Sequence, residues 1–134
     1  IVQLKIKMTL LQFILKMWQE GLIVDNATSG RNTIEKEMIS YIQQNYTEKI
    51  YLKEFGAQFH LSEKYISRYF KEHFHITLSQ YVNHLRLEHA RQLLQETALP
   101  ITEVAMQSGY QNVSYFIRSF KKTYEMSPLK YRKE

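Results

Sequence analysis

Residues 101–132 read ITEVAMQSGYQNVSYFIRSFKKTYEMSPLKYR, and their spacing decides the fold. Ile101, Val104 and Ala105 stand at helical intervals, and Gly109 follows where a left-handed residue would end that helix and turn the chain. A second helix is expected from Val113 to Tyr124. Phe116, Phe120 and Tyr124 recur every four residues and make one buried stripe, while Ser114, Ile117, Arg118 and Lys121 fall on the opposite side, with no acid among them. Two helices joined by a short Gly-containing turn, the second held by aromatics and presenting Arg and small side chains outward, meet the requirement for a helix that enters a DNA major groove.

The pattern occurs twice. A shift of fifty residues lays Tyr65, Arg68, Phe70 and Lys71 onto Tyr115, Arg118, Phe120 and Lys121, and Ser62 onto Asn112. Upstream of the turn the shift is forty-nine, so that Leu52, Phe55 and Gly56 meet Ile101, Val104 and Ala105, and the second turn holds one residue more. A repeat that preserves both the stripe and the basic face implies two equivalent units sharing one task.

Working outward, the first helix-turn-helix is expected at about 51–74: a short helix over Tyr51–Phe59, a turn at His60-Leu61, Ser62 as N-cap, and a second helix to Phe74. Its stripe is Ile66, Phe70 and Phe74; opposite lie Lys64, Arg68 and Lys71, with Ser67 at the edge. Thr77 and Gln80 form a capping box that starts a long helix, about 78–95, whose Leu78, Tyr81, Val82, Leu85, Ala90, Leu93 and Leu94 spread over more than one face. The second unit covers about 101–124, and Ser127-Pro128 reads as N-cap and first residue of a short last helix. Asn32 and Glu35 resemble a capping box opening a helix with Ile34, Met38, Tyr41, Ile42 and Tyr46 on its apolar side. No segment alternates like a strand, so the fold class expected is all-α: two helix-turn-helix subdomains joined by a long linker helix and preceded by an amphipathic helix.

That preceding helix occupies residues 1–24. Ile1, Leu4, Met8, Leu11, Leu15, Trp18 and Leu22 alternate spacings of three and four in a heptad row, and Ile6, Leu10, Phe13 and Met17 make a second. Two readings stay open: a seam that pairs with a second copy of the chain, or a core helix of a preceding domain. Asp25–Arg31 is small and polar, a linker by composition. Residues 1–31 are therefore read as the helix and linker of an upstream sensor or dimerisation domain, and 32–134 as the duplicated unit. The chain starts at Ile, which reads as a fragment or processed product of something longer.

Composition narrows the partner. The net charge of +5 over 134 residues suits a polyanion, and from Tyr110 onward the bases Arg118, Lys121, Lys122, Lys130, Arg132 and Lys133 face only Glu125 and Glu134. Cysteine is absent, which excludes disulfides and thiolate metal sites and agrees with a reducing compartment. Lys5, Lys7 and Lys16 interrupt the apolar start, so no membrane span is expected. Asp25 is the sole aspartate, no phosphate loop or activated nucleophile can be assembled, and His60, His73, His75, His84 and His89 lack the spacing of a zinc helix. Neither enzyme activity, cofactor nor metal is expected.

The residues resemble the AraC/XylS family of transcription activators, whose DNA-binding domain holds two helix-turn-helix units on a long helix. The signature is carried by Ile101, Val104-Ala105, Gly109-Tyr110, Ser114-Tyr115-Phe116, Arg118, Phe120-Lys121-Lys122, Ser127-Pro128 and Tyr131-Arg132, and the resemblance runs from about Ile34 to Arg132. In the first half Phe55-Gly56 stands in for the usual Leu-Ala, and His75 and Glu125 occupy positions after each reading helix where the family usually has Gly. The function expected is a sequence-specific regulator of transcription, an activator by resemblance, that reads two successive major grooves of double-stranded DNA from the cytoplasm, on the nucleoid. RNA polymerase and a second copy of the chain are candidate protein partners. Arg68 and Arg118 are the candidates for paired hydrogen bonds to guanine, Lys64, Ser67, Val113 and Ser114 for other base edges, and Ile117 for a thymine methyl. Lys71, Lys121 and Lys122, with Thr77, Ser79 and Ser127 at the following helix starts, are the candidates for phosphate. The alternatives are a helical protein-interaction module, or an architectural protein that binds DNA without sequence preference.

Overall fold

The computed structural model describes residues 30–134, with side chains from Ile34 onward; the heptad rows of residues 1–24 and most of the expected linker lie outside the described residues. Seven helices run through the described part: α1 Gly30–Asn45, α2 Leu52–Gln58, α3 Glu63–Phe74, α4 Leu78–Glu96, α5 Ile101–Gln107, α6 Val113–Tyr124 and α7 Pro128–Lys133. There is no strand among them. The all-α arrangement of two helix-turn-helix units on one long helix is thus observed, with boundaries within a residue or two of the spacing-based ones.

Two separate cores form, and α4 belongs to both. The first gathers Met38, Ile39 and Ile42 of α1, Phe55, Ile66, Phe70 and Phe74, and closes with Leu78, Tyr81 and Val82 from the first turns of α4. The second gathers Val104, Ala105, Tyr110, Phe116, Phe120, Tyr124 and Tyr131 around Leu87, Ala90 and Leu94 from its later turns. Leu87, 1% exposed, had no place among the apolar positions read from α4, because two cores on opposite sides blur the 3.6-residue period. In each core one aromatic is central. Phe70 lies 4.6 Å from Phe74 and 5.7 Å from Tyr81 between ring centroids, and Phe120 lies 4.4 Å from Tyr124 and 5.5 Å from Tyr131.

The caps behave as their sequences demand, with one exception. Ser62 and Asn112 accept from the backbone N–H of Tyr65 and Tyr115, Thr77 and Gln80 bond reciprocally, and Ser127 accepts from Lys130 N–H. Asn32, expected to cap α1, lies within it, since the helix is already running from Gly30. Its Glu35 points inward instead: the buried carboxylate accepts the Tyr69 hydroxyl at 2.9 Å and stands 3.5 Å from His73 Nε2. A long-range partner has taken the side chain that the local motif would have used.

The two turns differ as the offset of one residue implies. In the first unit His60 takes the left-handed conformation at φ 57°, where the second unit has Gly109 at φ 107°. The first turn, one residue shorter, presses onto α2: a Cβ at Gly56 would lie 2.3 Å from the Leu61 carbonyl oxygen and 2.8 Å from Ile66 Cδ1. The added residue of the second unit, Gln111, goes with room for the side chain of Ala105 at the matching place.

Beyond each reading helix the chain repeats one device. His75 and Glu125 sit left-handed at φ 62° and 61°, donate their N–H groups to the carbonyls of Lys71 and Lys121, and are followed by Ile76 and Met126 packed against their cores. A non-Gly residue is strained there by on the order of 1 kcal/mol, and Glu125 also sets a negative charge against a helix C-terminus. Glu125→Gly is therefore expected to raise stability by about 1 kcal/mol in urea or thermal unfolding, with His75→Gly following in the same direction. Phe120→Ala and Phe70→Ala should each lower it by about 3–5 kcal/mol; a loss under about 1 kcal/mol would contradict the core assignment.

Candidate nucleic-acid interface

The aromatic stripes that bury one side of α3 and α6 oblige the other side to face out. On α3, Lys64, Ser67, Arg68 and Lys71 are exposed behind the buried Ile66, Phe70 and Phe74; on α6, Ser114, Ile117, Arg118, Lys121 and Lys122 are exposed behind Phe116, Phe120 and Tyr124. None of these lysines and arginines is in an ion pair with another described residue. Unpaired bases keep their attraction for a polyanion, and α6 has no acid along its length, whereas α3 carries the exposed Glu63 and Glu72. Ile117 is 37% exposed, a patch of apolar surface amid polar neighbours.

The candidate base contacts differ in how they are held. The Arg68 guanidinium lies over the ring of Tyr65, 5.7 Å from its centroid, an arrangement that restricts a long side chain before any ligand arrives. Val113 is only half-exposed and packs against the second core, so little of it can reach outward. The candidate phosphate contacts past each reading helix take matching places: Thr77 Oγ1 accepts from Gln80 N–H at 3.0 Å and Ser127 Oγ from Lys130 N–H at 3.2 Å, leaving each hydroxyl hydrogen free to donate. Ser79 is exposed in the first turn of α4.

Two residues missed as site candidates stand on the same faces. Tyr65 and Tyr115, 39% and 51% exposed, are large aromatics at the start of each reading helix, and their match under the fifty-residue shift was the signal available. One base counted toward the charged end faces elsewhere. Arg132 donates from Nε to the Leu94 carbonyl at 3.3 Å and from Nη1 to the Leu99 carbonyl at 2.6 Å, closing the end of α4 and the loop that follows it. Counting charge cannot separate such a base from a surface one.

Among the described residues no group of His, Asp and Glu could hold a metal ion, and no helix is long and apolar enough to cross a membrane.

Residues 55–134 match the family model of a helix-turn-helix domain. The chain is similar to the uncharacterized HTH-type transcriptional regulator YijO of Escherichia coli K12, 36% identical over 108 residues that make up 80% of this chain and 38% of that protein. It is similar also to the HTH-type transcriptional activator RhaR of Mannheimia succiniciproducens, 32% identical over 97 residues, 72% of this chain and 35% of that one. The chain thus spans well under half the length of these relatives. Among solved structures it resembles the C-terminal domain of the two-component response regulator yesN from Fusobacterium nucleatum, with a TM-score of 0.69 and 35% identity over 75% of this chain and 98% of that one.

Because both guanidinium bonds of Arg132 go to main-chain carbonyls, Arg132→Met should lower the unfolding free energy by about 1–3 kcal/mol. Chemical denaturation reads this directly, and an unchanged midpoint would return Arg132 to the pool of surface charges.

Proposed function

The chain belongs to the AraC/XylS family and is a DNA-binding transcription regulator rather than an enzyme; from that premise we propose that it reads a specific duplex sequence in two successive major grooves and activates transcription. One observation carries this reading: α3 and α6 present basic faces with arginine and lysine at matching places while both are packed on the single helix α4. Two reading helices on one support meet grooves about 34 Å apart on one side of the duplex, or bend the DNA to do so. In this reading Arg68 and Arg118 pair with guanine, Lys64, Ser67, Ser114 and the exposed edge of Val113 touch other base edges, and Ile117 meets a thymine methyl. Lys71, Lys121, Lys122, Thr77, Ser79 and Ser127 hold phosphates and set the register.

The activating direction is supported by the likeness to RhaR, itself a transcriptional activator, and calls for a contact with RNA polymerase. A second copy of the chain, joined through the heptad row of residues 1–24, is the remaining part of the proposal and rests on the sequence pattern alone.

Selection of sites from a random duplex library, followed by a salt series on the selected and a scrambled site, tests the reading. A preferred sequence with an affinity that falls steeply with salt supports it. Equal affinity for both duplexes would leave an architectural binder, and salt-insensitive or absent binding a protein-interaction module. On the selected site, Arg118→Ala and Arg68→Ala should each weaken binding by about 1–3 kcal/mol and relax preference at separate positions about one helical turn apart, whereas Lys121→Ala should weaken selected and scrambled DNA alike and reduce the salt slope by about one. Unchanged preference in both arginine variants would reassign them to phosphate.

A further inference from the structure

One side chain on α4, Arg86, stands where the first unit and the turn of the second come together. Past the end of α1, the carbonyls of Tyr46 and Glu48 lie outside any helix and need donors. Arg86, midway along α4 between the residues given to the first core and those given to the second, supplies both: Nε donates to the Tyr46 carbonyl at 2.7 Å and Nη2 to the Glu48 carbonyl at 3.0 Å. Such charge-assisted bonds are among the stronger ones a protein makes. Burial lowers the affinity of this guanidinium for its proton, yet an arginine stays charged, so the two carbonyls always face a cation.

The second unit rests against the same point. Gly109, in the turn that launches α6, comes so close that a Cβ there would lie 2.6 Å from the Tyr46 carbonyl oxygen, 2.8 Å from Arg86 Nε and 3.0 Å from Thr47 Cα. The guanidinium carbon is 6.0 Å from the ring centroid of Tyr110, whose hydroxyl donates to Asn83 Oδ1 on α4. Two residues beyond Tyr110 is Asn112, the cap that fixes where α6 begins. The exit of α1, the middle of α4 and the turn before α6 therefore meet at one guanidinium. Next to it lies a cleft of about 370 Å³, lined by Ile50 and Leu52 of the first unit, by Val82, Asn83 and Arg86 of α4, and by Tyr115 of α6.

We infer that Arg86 is a positioning residue for DNA recognition: by tying the exit of α1 to the turn before α6, it fixes the separation and angle of α3 and α6, and so the spacing between half-sites that the protein accepts. The inference rests on the two-groove reading and adds to it a residue that sets specificity without touching a base.

The test uses the full chain and the duplex selected above, in versions with one or two base pairs inserted or removed between the half-sites. Each base pair rotates and displaces one half-site relative to the other, so wild type should lose about tenfold or more in affinity per step. Arg86→Gln should flatten that profile to about threefold while base preference within each half-site is kept, and Arg86→Lys, which can still bond one carbonyl, should fall between. Gly109→Ala, a wedge in the same seam, should shift or broaden the optimum independently. A folded Arg86→Gln chain with the wild-type spacing profile overturns the inference. So does a uniform loss at every spacing with a shallower salt slope, which would make Arg86 a phosphate contact, and so does loss of the folded circular dichroism spectrum, which would make it a structural residue only. A wild type with no preferred site at all would instead sink the two-groove reading.

Discussion

Everything in this molecule depends on α4 serving two cores. A unit of about fifty residues buries too little apolar surface to be secure alone. Here each unit takes part of its core from the shared helix: Leu78, Tyr81 and Val82 go to the first, Leu87, Ala90 and Leu94 to the second. The helix is a covalent support and a packing partner at once. Neither unit can rotate freely about it without opening its own core, which holds each short reading helix to α4 and leaves the seam at Arg86 to set the finer relation between them.

Within that constraint the two units are repeats that have drifted in compensating ways. The glycine that the second unit spends on a positive φ at Gly109 is found in the first unit at Gly56, where the shorter turn presses on α2, while His60 takes the left-handed position itself. The helix exits have drifted less. Both units retain a left-handed residue, then a packed hydrophobe, then a hydroxyl cap, although neither has the glycine that the backbone favours.

The basic residues divide by what their donors find. Arg86 and Arg132 close main-chain carbonyls at the exits of α1 and α4, and Arg91 bonds the Glu88 carboxylate, a bond that raises its hold on its proton, and reaches the Tyr131 hydroxyl. These three build the scaffold. Arg68 and Arg118, with the lysines beside them, find no described acid and stay on the surface. The positive charge of the chain is thus a mixture of cations whose donors are taken within the fold and cations whose donors are free for a ligand.

The sequence by itself determined the elements, the duplication and the exposed faces, because these are local matters: a four-residue aromatic period fixes which side of α3 and α6 is buried, and hydroxyl caps fix where helices start. The family resemblance marked His75 and Glu125 as positions that usually hold Gly, and the structure then showed both left-handed. The sequence did not determine what Glu35 does, because the carboxylate that looks like half of a capping box is taken by Tyr69 and His73, more than thirty residues away. Nor did it place Leu87, whose burial depends on a second core wrapping the far side of α4, or separate Arg86 and Arg132 from surface bases. Those assignments turn on carbonyls and rings brought near by the packing of distant segments, and only the tertiary structure decides which distant segments meet.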